Sequence, residues 1–159
     1  MDKKRILETL LAEMQAKLSV LIQSAQAARQ EATHEDTKAE NKYDTRAIEA
    51  GYLAGAQAER VAQLQATISF FERLELKTFG SRTPIEITAL VELESDGKKT
   101  WNFLLPQGGG MKVRQEDHDV FILGVQAPLG QALVGKTQGD VLEVTTQNGV
   151  KEYEILRVL

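Results

Sequence analysis

The chain has no cysteine, which excludes disulfides and thiolate metal sites and makes a reducing, cytoplasmic setting the default expectation. It has 2 histidines, His34 and His118. Neither has a second imidazole near it in sequence, so each reads as an exposed turn or loop residue before it reads as a metal ligand. No Ser-His-Asp or Cys-His set is visible, and His118 stands between Asp117 and Asp119 in what reads as a solvated loop. There is no run of 18 apolar residues, so no membrane-spanning helix is expected. The basic start Met1-Asp2-Lys3-Lys4-Arg5 runs straight into a charged helical pattern, without the apolar core of a signal peptide. There is no cationic surplus either: the net charge of -4 argues against broad, non-specific binding to nucleic acid.

Proline and glycine are scarce in one half only. All 3 prolines, Pro84, Pro106 and Pro128, lie after residue 80, and of 12 glycines only Gly51, Gly55 and Gly80 lie at or before it. Residues 1–78 therefore read as helix and 81–159 as sheet and turns, with the boundary at Phe79-Gly80-Ser81-Arg82-Thr83-Pro84. The 159 residues, 26% charged and 42% hydrophobic, suit one or two small domains.

In the helical half, Leu7, Leu11, Met14, Leu18, Leu21, Ala25, Ala28 and Ala32 alternate steps of four and three, a coiled-coil seam. A second seam runs through Ala47, Gly51, Ala54, Ala58, Val61, Gln65 and Ile68, reinforced by Leu64 and Phe71. Two helices of about 29 residues, roughly 43 Å each, fit an antiparallel pair joined by a short connection. Side chains along the seam shrink from leucine to alanine towards that connection, which predicts a thin far end. Gly51 and Gly55 are expected to serve close helix packing, with a functional contact as the alternative.

The connection, Thr33 to Tyr43, contains neither glycine nor proline but carries three carboxylates, Glu35, Asp36 and Glu40. A polar fingertip of this kind is suited to holding a cation. Thr37-Lys38-Ala39-Glu40 also has the form of a capping box, in which Glu40 folds back on the Thr37 amide. Both roles of Glu40 stay open on the residues alone. Lys38, Lys42 and Arg46 read as a solvated face.

In the second half, short apolar stretches at 85–93, 100–105, 120–124, 141–145 and 151–158 read as strands of a small antiparallel sheet. Asn148-Gly149 signals a hairpin. Pro128 opens and Gly135 closes a short helix whose Leu129, Ala132 and Leu133 share a face. Gln107-Gly108-Gly109-Gly110 lacks the Lys-Ser/Thr of a phosphate loop and reads as a flexible turn.

Three segments carry a resemblance to the GreA/GreB family of bacterial transcription elongation factors. His34-Glu35-Asp36-Thr37-Lys38-Ala39-Glu40-Asn41-Lys42-Tyr43 resembles the family tip H-G-D-L-K-E-N-A-E-Y. Gly51-Tyr52 and Gly55 match its G-F-x-x-G. Ala127-Pro128-Leu129-Gly130-Gln131-Ala132-Leu133-Val134-Gly135-Lys136 is similar to its S-P-I-A-R-A-L-I-G-K, and 148–154 to its closing hairpin.

The resemblance implies an α+β protein: an antiparallel coiled-coil finger over 1–78 with an acidic tip near 34–41, and an FKBP-like domain over 81–159. It implies no catalytic centre of its own. The finger enters the secondary channel of bacterial RNA polymerase, while Pro128, Leu129 and Leu133 dock at the rim. Asp36, with Glu40 or Glu35, shares a Mg2+ with the polymerase, which then cleaves the RNA 3′ end of a backtracked complex. No membrane and no small-molecule substrate are involved. Aligned without gaps, Asp36 falls on the family's Asp, but Ala39 falls on its Glu and Ala127 on the Ser before its Pro. One alternative is therefore a channel-binding regulator that does not stimulate cleavage. Another is a coiled-coil adaptor or an FKBP-type prolyl isomerase, although the sheet half has few aromatics and the core accounts for them.

Overall fold

The computed structural model describes residues 1–33, 45–146 and 149–159. The tip residues His34, Glu35, Asp36, Ala39 and Glu40 lie outside the described residues, as does Asn148 of the expected hairpin turn. Two compact units form, one of Leu10–Arg73 and one of Met1–Thr9 with Leu74–Leu159. No helix among the described residues is long and apolar enough to cross a membrane.

The helical unit is an antiparallel hairpin of α1 (Lys3–Thr33) and α2 (Thr45–Phe71). Along α1 the expected seam is the sheltered side: Leu7 and Met14 are buried, and Leu11, Leu18, Leu21, Ala25 and Ala28 are half-buried. Ile6 and Leu10, both fully buried, widen the apolar stripe at the start of the helix beyond a two-position seam.

On α2 the sheltered line runs through Ala54, Gln57, Val61, Leu64, Ile68 and Phe71, while Gly51, Ala58 and Gln65 are exposed. This corrects the expectation for the glycines. A Cβ placed on Gly51 or Gly55 meets nothing within 4 Å, so neither glycine serves close packing. Where the seam turns to alanine, the helices leave a shallow groove of about 240 Å³ between Ile22, Ala25 and Gln26 of α1 and Ala54, Ala58 and Val61 of α2.

The first residues of the chain belong to the sheet unit. Asp2 caps α1 with its carboxylate, Oδ1 accepting the Lys4 N–H at 2.9 Å. The Gln115 side chain brackets the Asp2 backbone, its Oε1 accepting the Asp2 N–H at 3.3 Å and its Nε2 donating to the Asp2 carbonyl at 3.1 Å. Lys3 Nζ donates to the carbonyls of Lys77 and Thr88 and lies 4.8 Å from the centre of the Phe79 ring. Burial lowers the pKa of Lys3.

The sheet unit holds β1 (Leu90–Ser95), β2 (Lys98–Leu105), β3 (Lys112–Gln115), β4 (His118–Gly124), α3 (Pro128–Leu133), β5 (Val141–Thr146) and β6 (Gly149–Val158). Six strands run in the order β3-β4-β2-β1-β6-β5. Four of the five pairings are antiparallel, as expected, but β2 and β4 run parallel, Trp101 opposite Val120 and Leu105 opposite Gly124. The sheet is therefore mixed. The cause is β3, a four-residue strand whose Lys-Val-Arg-Gln has one apolar residue and no alternation visible in sequence. It hairpins onto β4 and returns the chain in the direction of β2. His118, expected in a loop, is the exposed first residue of β4.

The first strand begins at Leu90 and not at Ile85, because Thr88 takes a left-handed φ of 76°. That costs a β-branched residue backbone energy, and three bonds hold it there. Its N–H donates to the Leu104 carbonyl, its Oγ1 accepts the Lys77 N–H, and its carbonyl accepts Lys3. Both faces of the sheet are buried at its centre. One presents Val91, Leu93, Leu104 and Ile155 to the core cluster that also contains Leu133. The opposite face presents Leu90, Phe103, Leu105, Val113 and Val120, all fully buried.

Candidate functional site

Helix α3 and the strand end beneath it form the region that the motif around Pro128 pointed to. Pro128 occupies the start of α3, where its missing N–H costs nothing. Ala127 precedes it in extended conformation and provides no side-chain cap, so the bonds here are backbone ones. The Ala127 N–H donates to the Gly124 carbonyl at 2.9 Å, and the Gln131 N–H donates to the Ala127 carbonyl at 2.9 Å.

The helix sits very close to β4. A Cβ built on Gly130 lies 2.3 Å from the Gly124 carbonyl oxygen, a distance only glycine permits. On the other side of Gly124, a Cβ on Gly109 lies 3.0 Å from its backbone nitrogen. The Gly-rich turn is thus a packing element as well as a turn. Past α3, Gly135 has a φ of 81° and its N–H donates to the Ile85 carbonyl at 2.8 Å, which ties down the helix end.

The three residues expected to dock fall into three environments. Pro128 is exposed and Leu129 half-buried. Leu133 is fully buried in the core cluster with Leu93, Leu104 and Ile155. Its side chain seats α3 on the sheet and is not available at the surface, which corrects the expectation that it contacts a partner directly.

Leu129 also lines an open groove of about 340 Å³ on the same face of the sheet, beyond the part α3 covers. Thr100 and Asn102 of β2 line it, with Phe121 of β4 and Tyr153 of β6. Asn102 is buried and its Nδ2 donates to the Thr100 Oγ1 at 3.1 Å. Phe121 is 42% exposed, a large apolar surface open to solvent. Ser95, Asp96 and Lys98 at the β1–β2 turn and Lys151 of β6 complete the groove.

Strand alternation separates the neighbouring lysines. Lys98 lies opposite Ser95 and lines the groove, whereas Lys99 lies opposite Glu94 and pairs with it at 3.8 Å. Among the described residues neither Lys98 nor Lys151 is in an ion pair. Ser95 Oγ is buried without a hydrogen-bond partner.

Other charged groups have structural partners. Asp119 accepts from Lys112 at 2.9 Å and Arg114 at 3.4 Å, and the Lys112 bond leads in holding its carboxyl below the usual range. Asp140 is lowered first by the Thr137 N–H, which donates to it at 2.8 Å. Glu92, little exposed, pairs with Arg157 at 3.0 Å, and the Arg157 guanidinium lies 5.9 Å from the centre of the Trp101 ring. Among the described residues no cluster of three or more His, Cys, Asp or Glu is arranged to hold a metal ion. Sequence reading missed the groove residues Ser95, Lys98, Thr100, Asn102 and Lys151. The one available signal was the period-2 alternation that sets Lys98 apart from Lys99.

Comparison with known proteins bears on this same domain. The family model for the C-terminal domain of GreA/GreB transcription elongation factors matches residues 85–159. Transcription elongation factor GreA of Agrobacterium fabrum is 30% identical over 116 residues, covering 69% of this chain and 69% of that protein. GreA of Jannaschia sp. is 27% identical over 128 residues, covering 79% of this chain and 74% of that protein. The crystal structure of GreA factor homolog 1 of Thermus thermophilus matches at 20% identity over 94% of both chains, with a TM-score of 0.39. On the sequence matches, the chain belongs to the GreA/GreB family of transcription elongation factors.

Proposed function

We propose that the protein binds bacterial RNA polymerase at its secondary channel and promotes cleavage of the RNA 3′ end in backtracked complexes, so that elongation resumes. It acts as an accessory, the nuclease centre being the polymerase's own. The observation that carries this reading is family membership along both halves of the chain, with a carboxylate, Asp36, at the family's tip position. In this reading the exposed Pro128 and the half-buried Leu129 meet the channel rim.

Asp36, with Glu40 or Glu35, would hold a Mg2+ shared with the polymerase. Carboxylate oxygens are the hard donors that Mg2+ prefers, so the chemistry of the donor set fits. What the ion supplies when bound is activation of the attacking water and stabilisation of the leaving oxygen. The part this chain plays is to bring carboxylates to that point and hold them there.

Ala39, where the family carries Glu, favours a second reading in which the factor occupies the channel without stimulating cleavage. One assay separates the two. Polymerase is stalled in a backtracked complex with 5′-labelled RNA, and the protein is added with Mg2+. Shortened RNA that regrows on adding nucleotides, lost in Asp36→Ala, supports the cleavage reading. Slowed synthesis without shortening, converted to cleavage by Ala39→Glu, supports the second. Neither effect, and no binding to polymerase, sinks both.

A further inference from the structure

Within two turns of α2 stand three unfavourable residues that no contact among the described residues offsets. Gly51 and Gly55 lie in the helix interior, where a glycine lowers the helical population by roughly fivefold relative to alanine. Both are exposed, neither takes a positive φ, and a Cβ on either meets nothing within 4 Å. Neither backbone conformation nor packing calls for glycine here. Independently, Gln57 Oε1 is buried with no hydrogen-bond partner among the described residues, and groups in that state are uncommon because each forfeits its bonds to water.

The three are placed so that one motion relieves them. Gly51 and Gly55, four residues apart, share an outer face and leave an open hollow of about 530 Å³ beside Tyr52 and Glu59. Gln57 lies on the other side of the helix, in its sheltered line. A bend of α2 away from α1 compresses the face that lacks side chains and opens Gln57 Oε1 to water. It forfeits little packing, because the seam here is Ala25 against Ala54 and Ala58, with a shallow groove already between the helices. Glycine is among the few recognised causes of a sharp helix bend. At the other end of α2, Ile68 and Phe71 are buried and hold the helix in place.

We infer that residues 51–57 are a hinge in α2, and that its bending positions the carboxylates that precede the helix in the chain, Glu35, Asp36 and Glu40, on the polymerase. The positioning role rests on the function proposed above; the hinge does not. The plainer alternative is fraying of α2 from its start at Thr45.

The chain has no cysteine, so pairs of spin labels can be introduced cleanly into the full-length protein. Labels at A27C/E49C report on the hinged end, and labels at A16C/A66C on the other. The first pair is expected to show two distance populations, the longer holding roughly a tenth of the molecules, and the second pair one. G51A/G55A lowers the longer population by roughly tenfold or more, and Q57L lowers it by about threefold by removing the unpaired group. Y52A, which raises helix propensity in the same turn and leaves the glycines, does not change it. On backtracked polymerase, G51A/G55A binds within about threefold of wild type, but its effect at saturation, cleavage or slowed synthesis, falls by roughly fivefold or more, as for a group that acts after binding. The hinge is overturned if A27C/E49C shows a single population, or if Y52A suppresses the longer one as strongly as G51A/G55A, which is the mark of fraying. The positioning role is overturned if G51A/G55A acts on polymerase as wild type does. If the wild-type protein has no effect on polymerase, the function proposed above falls, and the label distances still decide the hinge.

Discussion

Replacing Gly130 with alanine tests whether α3 is seated as closely as the geometry requires. On an ordinary helix this change stabilises, because alanine is better than glycine in a helix by about 1 kcal/mol. Here the new Cβ would lie 2.3 Å from the Gly124 carbonyl oxygen and 3.1 Å from its carbonyl carbon. Both are rigid backbone atoms, so α3 must lift by roughly 1 Å, and overpacking of this kind costs about 1–3 kcal/mol. Lifting α3 also draws Leu133, now fully buried, partly out of the core. Full exposure of such a side chain costs about 1.5–3 kcal/mol, and a partial one a fraction of that. The net expectation is a loss of about 2 kcal/mol, or a fall in Tm of roughly 8–16 °C for a unit of this size. The chain's 1 tryptophan, Trp101, lies buried in the sheet unit, so its fluorescence during thermal unfolding reads this unit selectively. A Gly130→Ala protein that melts at or above the wild-type temperature would refute the close seating of α3 and the explanation given for its glycine.

The opposite outcome is expected on α2. Gly51→Ala and Gly55→Ala meet open space and should each stabilise the helical unit by up to about 1 kcal/mol, read by far-UV circular dichroism on denaturant titration. Destabilisation there would restore the close-packing role. Asp140 has its carboxyl pKa lowered in the fold, so its ionised form favours folding. That contribution is present above the unfolded value, about pH 4, and is lost as pH falls through the folded one. Asp140→Asn should therefore lower Tm at neutral pH, with the gap to wild type closing on acidification; a gap that persists in acid would contradict this. Arg157→Ala strands the little-exposed Glu92 carboxylate and should cost about 1–3 kcal/mol, more than a typical surface change. In the same background, Glu92→Gln should recover part of that loss in a double-mutant cycle.

How far the fold could be read from the sequence depended on how local its causes are. The α1 seam was legible because Leu7, Leu11, Met14 and Leu18 repeat within one helix, and the structure shelters all four. The α2 seam was ambiguous because alanine is so frequent there. Two stripes that share Ala54, Val61 and Ile68, one adding Gly51, Ala58 and Gln65 and the other Gln57, Leu64 and Phe71, fit nearly as well, and the larger side chains decided the matter. Thr88 was not legible, since nothing local favours a positive φ in a β-branched residue. Three partners distant in sequence, Leu104, Lys77 and Lys3, impose it.

The groove is a stronger case of the same kind. Lys98 and Lys99 are adjacent and chemically identical, yet one faces the groove and the other pairs with Glu94. Alternation says only that they differ; which is which depends on the register of β1 against β2. That the facing side is left open depends in turn on α3 stopping at Leu133, and on Gly130 letting it sit low against Gly124 at one end of the sheet. A groove assembled from β1, β2, β4, β6 and α3 has no single stretch of sequence in which to announce itself. The motif around Pro128 was legible for the opposite reason, since Pro128 and Leu129 stand side by side. Leu133 was misassigned with them because a motif preserves spacing, while burial separates the residues that seat a helix from those it presents.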